Sequence, residues 1–146
     1  MTVIEFAQRD VVTIRRDQSA DELTALLKEH GIGCAVVEEE GRPVGVVTDR
    51  DLVMGVLEPH RDPGEVTVGE IMTSNPETVH EDASVIETTE LMARAAVRRL
   101  PVVDDVGALV GIVALDDLLV LLAEELRDLA GVVVAGTPCE DLSPRG

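Results

Sequence analysis

The sequence predicts an α+β fold made of two copies of one β-α-β-β-α unit, on three observations. The chain repeats itself, each copy carries a serine–glutamate capping box, and each copy contains two β runs joined by a glycine-containing turn. Five residues recur 65 positions later, namely Thr13, Asp17, Ser19, Glu22 and Leu26. Eight more recur 66 positions later, in the stretches 36–52 and 102–118, which predicts one inserted residue between the two groups.

The elements follow the same order in both copies. A short β run, VVTI at 11–14 and ETV at 77–79, precedes a helix capped by Ser19 or Ser84, because each serine stands three residues before a glutamate. Two β runs follow, CAVVE with PVGVV and LPVVD with LVGIV, joined by the turns EEEGR and DVGA. A second helix begins near Thr48 and near Ala114, and the last helix is expected to end near Leu129.

The predicted boundaries are a first repeat at 7–56, a linker at 57–70, a second repeat at 71–130 and a tail at 131–146. Two prolines and a glycine mark the linker LEPHRDPGEVTV. In the tail, GVVVAG is apolar enough to dock on the body or on another chain, whereas PCEDLSPRG is expected to be disordered.

Composition restricts the classes of function. The formal net charge of −17 repels phosphate backbones and argues against nucleic-acid binding. Phe6 is the only aromatic side chain, so a planar ligand would lie between aliphatic groups. No apolar run approaches the roughly 18 residues of a membrane span, and the N-terminus has no secretory pattern, so we expect a cytoplasmic protein with no membrane partner. Cys34 and Cys139 do not make a disulfide framework.

Each copy closes on a related phrase, GVVTDRDL at 45–52 and GIVALDDL at 111–118. A tandem β-α-β-β-α unit ending in glycine, two hydrophobic residues and Thr-x-x-Asp is the pattern of CBS domains, and MTSNPETV and RRLPVVD are also typical. Over about residues 7–130 the sequence resembles a stand-alone CBS-domain pair, or Bateman module. The resemblance implies two CBS repeats packed about a pseudo-twofold axis, with two clefts that bind adenosine-containing ligands.

The resemblance implies a nucleotide site in the first cleft, with AMP, ADP or ATP as the expected ligand. The residues it assigns to this site are Val12, Ile32, Gly33, Thr48, Asp51, Arg98 and Arg99. The Asp51 carboxylate would accept hydrogen bonds from the ribose hydroxyls, and Thr48 would hold ribose or phosphate. The two arginines would bind the phosphates, while Val12 and the segment at 32–33 would contact the base.

The second cleft is expected to be a degenerate copy of the first. By the same resemblance it would use Thr78, Ala114 and Asp117, with Gly33 and Cys34 in the positions of the arginine pair. Ala114 has lost the hydroxyl of Thr48, and no cation is expected in this cleft. We therefore predict that the second cleft is empty or holds a ligand without phosphate.

Simpler interpretations of the same residues remain open. Thr48 and Asp51 also fit a helix cap followed by an acidic residue in the first turn. The arginine pair also fits exposed ion pairs with carboxylates such as Asp104 or Asp105, which contribute little. The glycines at 31–33 also fit the end of a helix and the start of a strand.

No nucleophile motif, phosphate loop or zinc spacing occurs, so the sequence predicts no catalysis, no metal site and no required cofactor. The leading interpretation is a regulatory module that senses an adenine nucleotide and signals through its dimer geometry or an unidentified protein partner. A homodimer is implied by the resemblance. The alternative is a ligand-free dimerisation or interaction module whose clefts are vestigial.

Overall fold

The computed structural model describes residues 1–136, so Cys139 and the predicted disordered segment PCEDLSPRG lie outside the described residues. The strands are β1 (Thr13–Ile14), β2 (Cys34–Glu39), β3 (Arg42–Thr48), β4 (Thr73–Ser74), β5 (Val79–His80), β6 (Arg99–Val103) and β7 (Leu109–Ala114). The α-helices are α1 (Ala20–His30), α2 (Asp49–Leu52), α3 (Val68–Ile71), α4 (Val85–Ala95) and α5 (Leu115–Ala135). A 3₁₀ turn, Val3–Glu5, precedes β1, and a π-helical turn, Val53–Leu57, continues α2.

The strands form two sheets, with orders β1-β2-β3-β4 and β5-β6-β7, which confirms the α+β fold. In each half a parallel pair comes first and an antiparallel hairpin follows. Aliphatic side chains fill the cores as the composition requires, with Leu23 and Val47 fully buried in one half and Leu100 and Val113 in the other.

Both predicted capping boxes are present. The hydroxyl oxygens of Ser19 and Ser84 each accept a hydrogen bond from the backbone N–H three residues later, at 3.1 Å. The glutamates at those positions accept from the backbone N–H groups of the serines, at 2.8 and 2.9 Å. Local sequence therefore determines where α1 and α4 begin.

The strand pairing shows that the inserted residue lies at a different position from the one that the sequence identities indicate. The first residue of β2, Cys34, pairs with Thr48, and the first residue of β6, Arg99, pairs with Ala114. β6 thus lies 65 positions after β2, while β7 lies 66 positions after β3. The extra residue is therefore in the β6–β7 turn, where it leaves the buried faces of the strands unchanged, since a one-residue slip within a strand would reverse them.

Each half of the molecule is completed by the segment that precedes the other half. Thr73 of β4 pairs with Val46 of β3, and Gln8 forms the equivalent bridge to Ile112 of β7. Val3 is fully buried in the core of the second half. The segment 71–74, expected in the second repeat, therefore packs on the first sheet, because β3 has an edge that needs pairing.

Gly45 and Gly111 have a role in packing. Each lies in a strand where the segment that precedes the other half of the molecule comes close to it. A Cβ on Gly45 would lie 2.5 Å from the sulfur of Met72, and one on Gly111 would lie 3.0 Å from the carbonyl oxygen of Gln8. A side chain at either position would force its neighbour to move, and the Gln8 neighbour is backbone.

The last helix is longer than expected. The sequence predicts an end near Leu129, but α5 continues to Ala135, so GVVVA is helical. No proline interrupts this stretch, and a single glycine inside a helix is tolerated at modest cost. Among residues 1–136, no helix is long and apolar enough to cross a membrane.

Candidate functional site

Two clefts lie between the sheets. The first cleft has a volume of about 690 Å³. It is lined by Thr48 and Asp51, by Thr73, by residues 75–77 and by residues 95–101. Arg50, Val46 and Cys34 complete its wall. The structure thus brings Thr48, Asp51, Arg98 and Arg99 together in one cavity.

The second cleft has a volume of about 430 Å³ and is lined by residues 10–12 and 30–34, with Gln8 and Ile112 at its wall. Ala114, Asp116, Asp117 and Arg99 complete it. Every residue of this lining has a counterpart at the equivalent position of the first cleft, as a pseudo-twofold arrangement requires.

Val12, Ile32 and Gly33 were expected beside Thr48 in the first cleft, and this placement is wrong. All three line the second cleft, together with Ala114 and Asp117. The reason is the strand order. β2 lies between β1 and β3, so the segments leading into β1 and β2 face one cleft, while the end of β3 faces the other. Each cleft consequently combines the closing phrase of one repeat with the strand entrances of the other.

Two expectations for the second cleft also need correction. Thr78 lines neither cleft; the neighbouring segment 75–77 borders the first cleft instead. The second cleft was expected to lack a cation, but Arg99 borders both cavities because β6 is the middle strand of its sheet. Gly33 and Cys34 do line this cleft, as the sequence indicates.

Thr48 and Asp51 cap the start of α2 and also border the first cleft. Oδ2 of Asp51 accepts hydrogen bonds from the backbone N–H of Thr48 at 2.9 Å and from its hydroxyl at 3.2 Å. The hydroxyl oxygen accepts in turn from the Asp51 backbone N–H at 3.3 Å. The capping interpretation is therefore correct, and it leaves Oδ1 with no hydrogen bond from residues 1–136.

The arginine pair does not contact Asp104 or Asp105. Arg98 forms a long ion pair with Asp116 at 3.7 Å, in which both side chains are about three-quarters exposed. No carboxylate of the described residues lies within 4.0 Å of the Arg99 guanidinium. Exposed pairs of this kind contribute little to stability, so both guanidinium groups are available to an anion.

The second cleft contains an unsatisfied carboxylate oxygen. Oδ2 of Asp117 is buried and has no hydrogen-bond partner among residues 1–136. Its counterpart in Asp51 is satisfied by Thr48, but Ala114 has no hydroxyl and makes no side-chain cap. Loss of the hydroxyl therefore removes a donor that this geometry would otherwise supply.

Cys34 lies between the clefts and borders both. Burial raises the pKa of its thiol, and the nearby Arg99 guanidinium partly offsets that rise. The thiol therefore behaves as a buried apolar group rather than as a nucleophile.

Sequence reasoning missed several residues of the first cleft, namely Arg50, Asn75, Pro76, Glu77 and Val97. The repeat itself contains the signal that finds them. Once each cleft is assigned residues from both repeats, the positions of Val12 and Ile32 map onto Glu77 and Val97. Arg50 occupies the position of Asp116, so the two clefts differ there by a reversal of charge.

A family model for the CBS domain matches residues 3–58 and 68–124. The chain belongs to the CBS-domain family. Among curated relatives, the uncharacterized protein MK0525 of Methanopyrus kandleri is 43% identical over 120 residues, which are 82% of this chain and 61% of that protein. The CBS domain-containing protein YhcV of Bacillus subtilis is 38% identical over 110 residues, covering 75% of this chain and 77% of YhcV.

Two of the solved structures of similar fold contain adenosine-based ligands. The CBS domain pair of protein MJ0100, in complex with 5′-methylthioadenosine and S-adenosyl-L-methionine, superposes with a TM-score of 0.75 at 28% identity, covering 86% of this chain and 98% of that one. The cytosolic domain of the Mg²⁺ channel MgtE in complex with ATP gives a TM-score of 0.71 at 32% identity, covering 82% of this chain and 48% of that one. This protein is therefore a CBS pair that is similar in fold to two CBS structures solved with adenosine-containing ligands.

Proposed function

We propose that this protein is a regulatory module that binds an adenine nucleotide, AMP, ADP or ATP, in the first cleft. The observation that carries the proposal is the charge at this cavity. Arg50, Arg98 and Arg99 border it, in a chain with 12 cationic and 29 acidic residues. Three guanidinium groups at one cavity of so acidic a protein form a local site for an anion, and their planar donors suit phosphate.

The remaining lining suits the rest of a nucleotide. Oδ1 of Asp51 faces no donor within the described residues, so it is free to accept from a ribose diol. Val46, Pro76 and Val97, each partly exposed, contribute apolar surface against which an adenine ring can lie. Because the chain has a single aromatic side chain, the base would be held by aliphatic contacts rather than by stacking.

The first cleft is lined by both repeats, and this offers a route for the signal. Thr48 and Asp51 belong to the first repeat, whereas Arg98 and Arg99 belong to the second. A nucleotide that contacts both pairs would favour one relative position of the two repeats. The response would pass on through dimer geometry or through contact with a protein partner.

A homodimer is supported by equivalent exposed apolar residues in the two halves. Val53 and Met54, just after α2, are 49% and 55% exposed, and their counterparts Leu119 and Val120 are 55% and 58% exposed. A monomer leaves all four in water, whereas association about a twofold axis would bury them.

Thermal unfolding followed by circular dichroism tests the proposal, since the chain has no tryptophan or tyrosine for fluorescence. Samples contain AMP, ADP, ATP, NAD, S-adenosylmethionine or buffer alone. A ligand at one hundred times its Kd adds about 2.7 kcal/mol, which raises the Tm by several degrees. We expect a rise with at least one of AMP, ADP and ATP.

Asp51→Asn is the informative variant, and Asp117→Asn is its matched control. Asparagine keeps an oxygen that can accept from the Thr48 backbone N–H, so the cap of α2 survives while the anionic acceptor for ribose is lost. We expect Asp51→Asn to abolish the nucleotide-dependent rise in Tm and Asp117→Asn to retain it. A rise that Asp117→Asn alone abolishes would assign the nucleotide to the second cleft and contradict the proposal.

The alternative function is a ligand-free dimerisation or interaction module. It is favoured by one observation, the mutual capping of Thr48 and Asp51, which accounts for both residues without a ligand. Absence of any ligand-dependent change in Tm, together with a dimeric mass, would support this alternative.

A further inference from the structure

The distal part of α5, from Leu119 onward, is largely exposed to solvent. Leu118 is buried and Leu115 packs on the second core, but from Leu119 to Ala135 every residue except Leu121 is exposed. This segment of 17 residues would extend about 25 Å beyond the body. An unsupported helix of that length is only marginally stable in water, so its apolar side chains require a cover.

Five of the eight exposed large apolar residues between positions 119 and 135 have the spacing of a coiled-coil seam, and the other three are Val120, Val132 and Val134. Intervals of three and four residues alternate through Leu119, Leu122, Leu126, Leu129 and Val133, whose exposures are 55%, 46%, 66%, 61% and 74%. They occupy consecutive a and d positions of a heptad pattern. We name these five residues the α5 seam.

The residues beside the seam fit close approach of a second helix. The two e positions hold Ala123 and Ala130, whose small side chains let another backbone come near. Glu124, Arg127 and Asp128 fall at f, b and c positions, away from the seam, and only Glu125 occupies a flanking g position. The charges of α5 therefore lie mainly on the faces that a partner helix would leave in water.

We propose that the α5 seam pairs with the α5 seam of a second copy of this chain. Knobs-into-holes packing requires a partner with the same alternating spacing, and a second copy supplies it in a self-complementary, twofold arrangement. A fully buried aliphatic side chain removes roughly 60–120 Å² of apolar area, and the seam residues are 46–74% exposed, so ten of them contribute on the order of 500 Å² to the roughly 1,000 Å² of a specific interface. The inference rests on the homodimer put forward above but not on nucleotide binding.

Parallel, in-register pairing of the two α5 helices brings the largest number of seam residues into contact. It places each seam residue against its own copy, so all five layers form, and it sets Glu125 opposite Ala130 of the second copy. The antiparallel register centred near residue 124 sets the two copies of Glu125 side by side, where like charges repel. The charge pattern therefore favours the parallel arrangement.

Mass measurement on the full-length chain tests the seam, by size-exclusion chromatography with light scattering. We expect about twice the chain mass of 15.6 kDa for the unsubstituted protein. The double variant Leu126→Glu/Leu129→Glu places charges in adjacent layers and is expected to lower the apparent mass toward one chain. Arg127→Glu is the matched control, because it also changes the net charge by −2 but at a b position, and it should stay dimeric.

Cross-linking keeps the test valid if other surfaces also hold the dimer. In a Cys139→Ser background, Leu126→Cys is expected to form a disulfide-linked dimer under mild oxidation, and Arg127→Cys is not. A dimer that the double variant leaves intact and that Leu126→Cys does not cross-link would overturn the seam while leaving the homodimer. A monomeric unsubstituted chain would overturn both the seam pairing and the homodimer. Another protein or residues 137–146 would then have to cover the apolar side of α5. The effect of nucleotides on the Tm is measured separately and would still test nucleotide binding.

Discussion

The two clefts have the same backbone framework but differ in their chemistry. Equivalent segments line both, yet the first cleft contains Arg50 where the second contains Asp116, and Thr48 where the second contains Ala114. Three arginines and two carboxylates border the first cleft, whereas one arginine and three carboxylates border the second. A duplicated fold thus keeps the serine caps of α1 and α4 and the glycines at 45 and 111, while a few surface substitutions decide which cavity suits an anion.

The largest expected difference between the clefts concerns the arginines. Replacing Arg98 and Arg99 with glutamine removes charge-assisted hydrogen bonds, each of which contributes about 1.5–3 kcal/mol. We expect nucleotide affinity to fall by at least tenfold per arginine, measured by isothermal titration calorimetry. Adenosine, which lacks phosphate, is the control ligand, and its affinity should change little in the same variants. An unchanged nucleotide affinity in the double variant would show that these arginines do not bind phosphate.

The next prediction concerns the hydroxyl that the second cleft lacks at Ala114. Ala114 already has the extended backbone of a cap residue, with φ −115° and ψ 150°, close to Thr48 at −127° and 170°. Ala114→Thr should therefore recreate the capping box with Asp117 and raise the free energy of unfolding by about 1 kcal/mol. Chemical denaturation measures the gain, and Thr48→Ala should lose a similar amount; a destabilised Ala114→Thr would contradict the equivalence of the two sites.

A smaller effect is expected where α4 ends. α1 ends in Gly31 with φ +62°, and α4 ends at the equivalent residue, Ala96, with φ +56°. A side chain in this left-handed conformation is strained, so Ala96→Gly should raise the free energy of unfolding by about 0.5–1 kcal/mol. Gly31→Ala is the reciprocal control and should lower the Tm, and equal Tm values for all three proteins would show no strain at Ala96.

The smallest expected effect depends on pH. His80 contacts Asp105 at 2.6 Å, and that hydrogen bond raises the pKa of the imidazole. A raised pKa in the folded state means that the contribution to stability is present below the ordinary histidine pKa, near 6.5, and fades as pH rises through the higher folded value. Asp105→Asn should therefore lower the Tm slightly at pH 5.5 and leave it unchanged at pH 9. A loss of equal size at both pH values would exclude this ion pair as the cause.

The fold could be predicted because its signals are local and repeated. Ser19 and Ser84 start their helices through hydrogen bonds to residues three positions away, and the β runs alternate with turns at a constant spacing. The first cleft was predicted in part, since Thr48, Asp51, Arg98 and Arg99 do meet there. Val12, Ile32 and Gly33 were assigned to the wrong cleft, because each cleft combines the closing phrase of one repeat with the segments that lead into the first two strands of the other.

The amino-acid sequence by itself determined the two repeats, their helix caps and hairpins, the acidic surface and the membership of the CBS family. These properties depend on contacts between residues close in the chain or on composition. Tertiary structure alone decided that residues 73–74 complete the first sheet, that Arg99 borders both clefts, and that α5 extends away from the body. The first two follow from the packing of one repeat against the other, in which partners such as Val46 and Thr73 or Gln8 and Ile112 are far apart in the chain, so no local pattern records which surfaces meet. The third is visible only in the exposure of α5, which the sequence pattern does not decide.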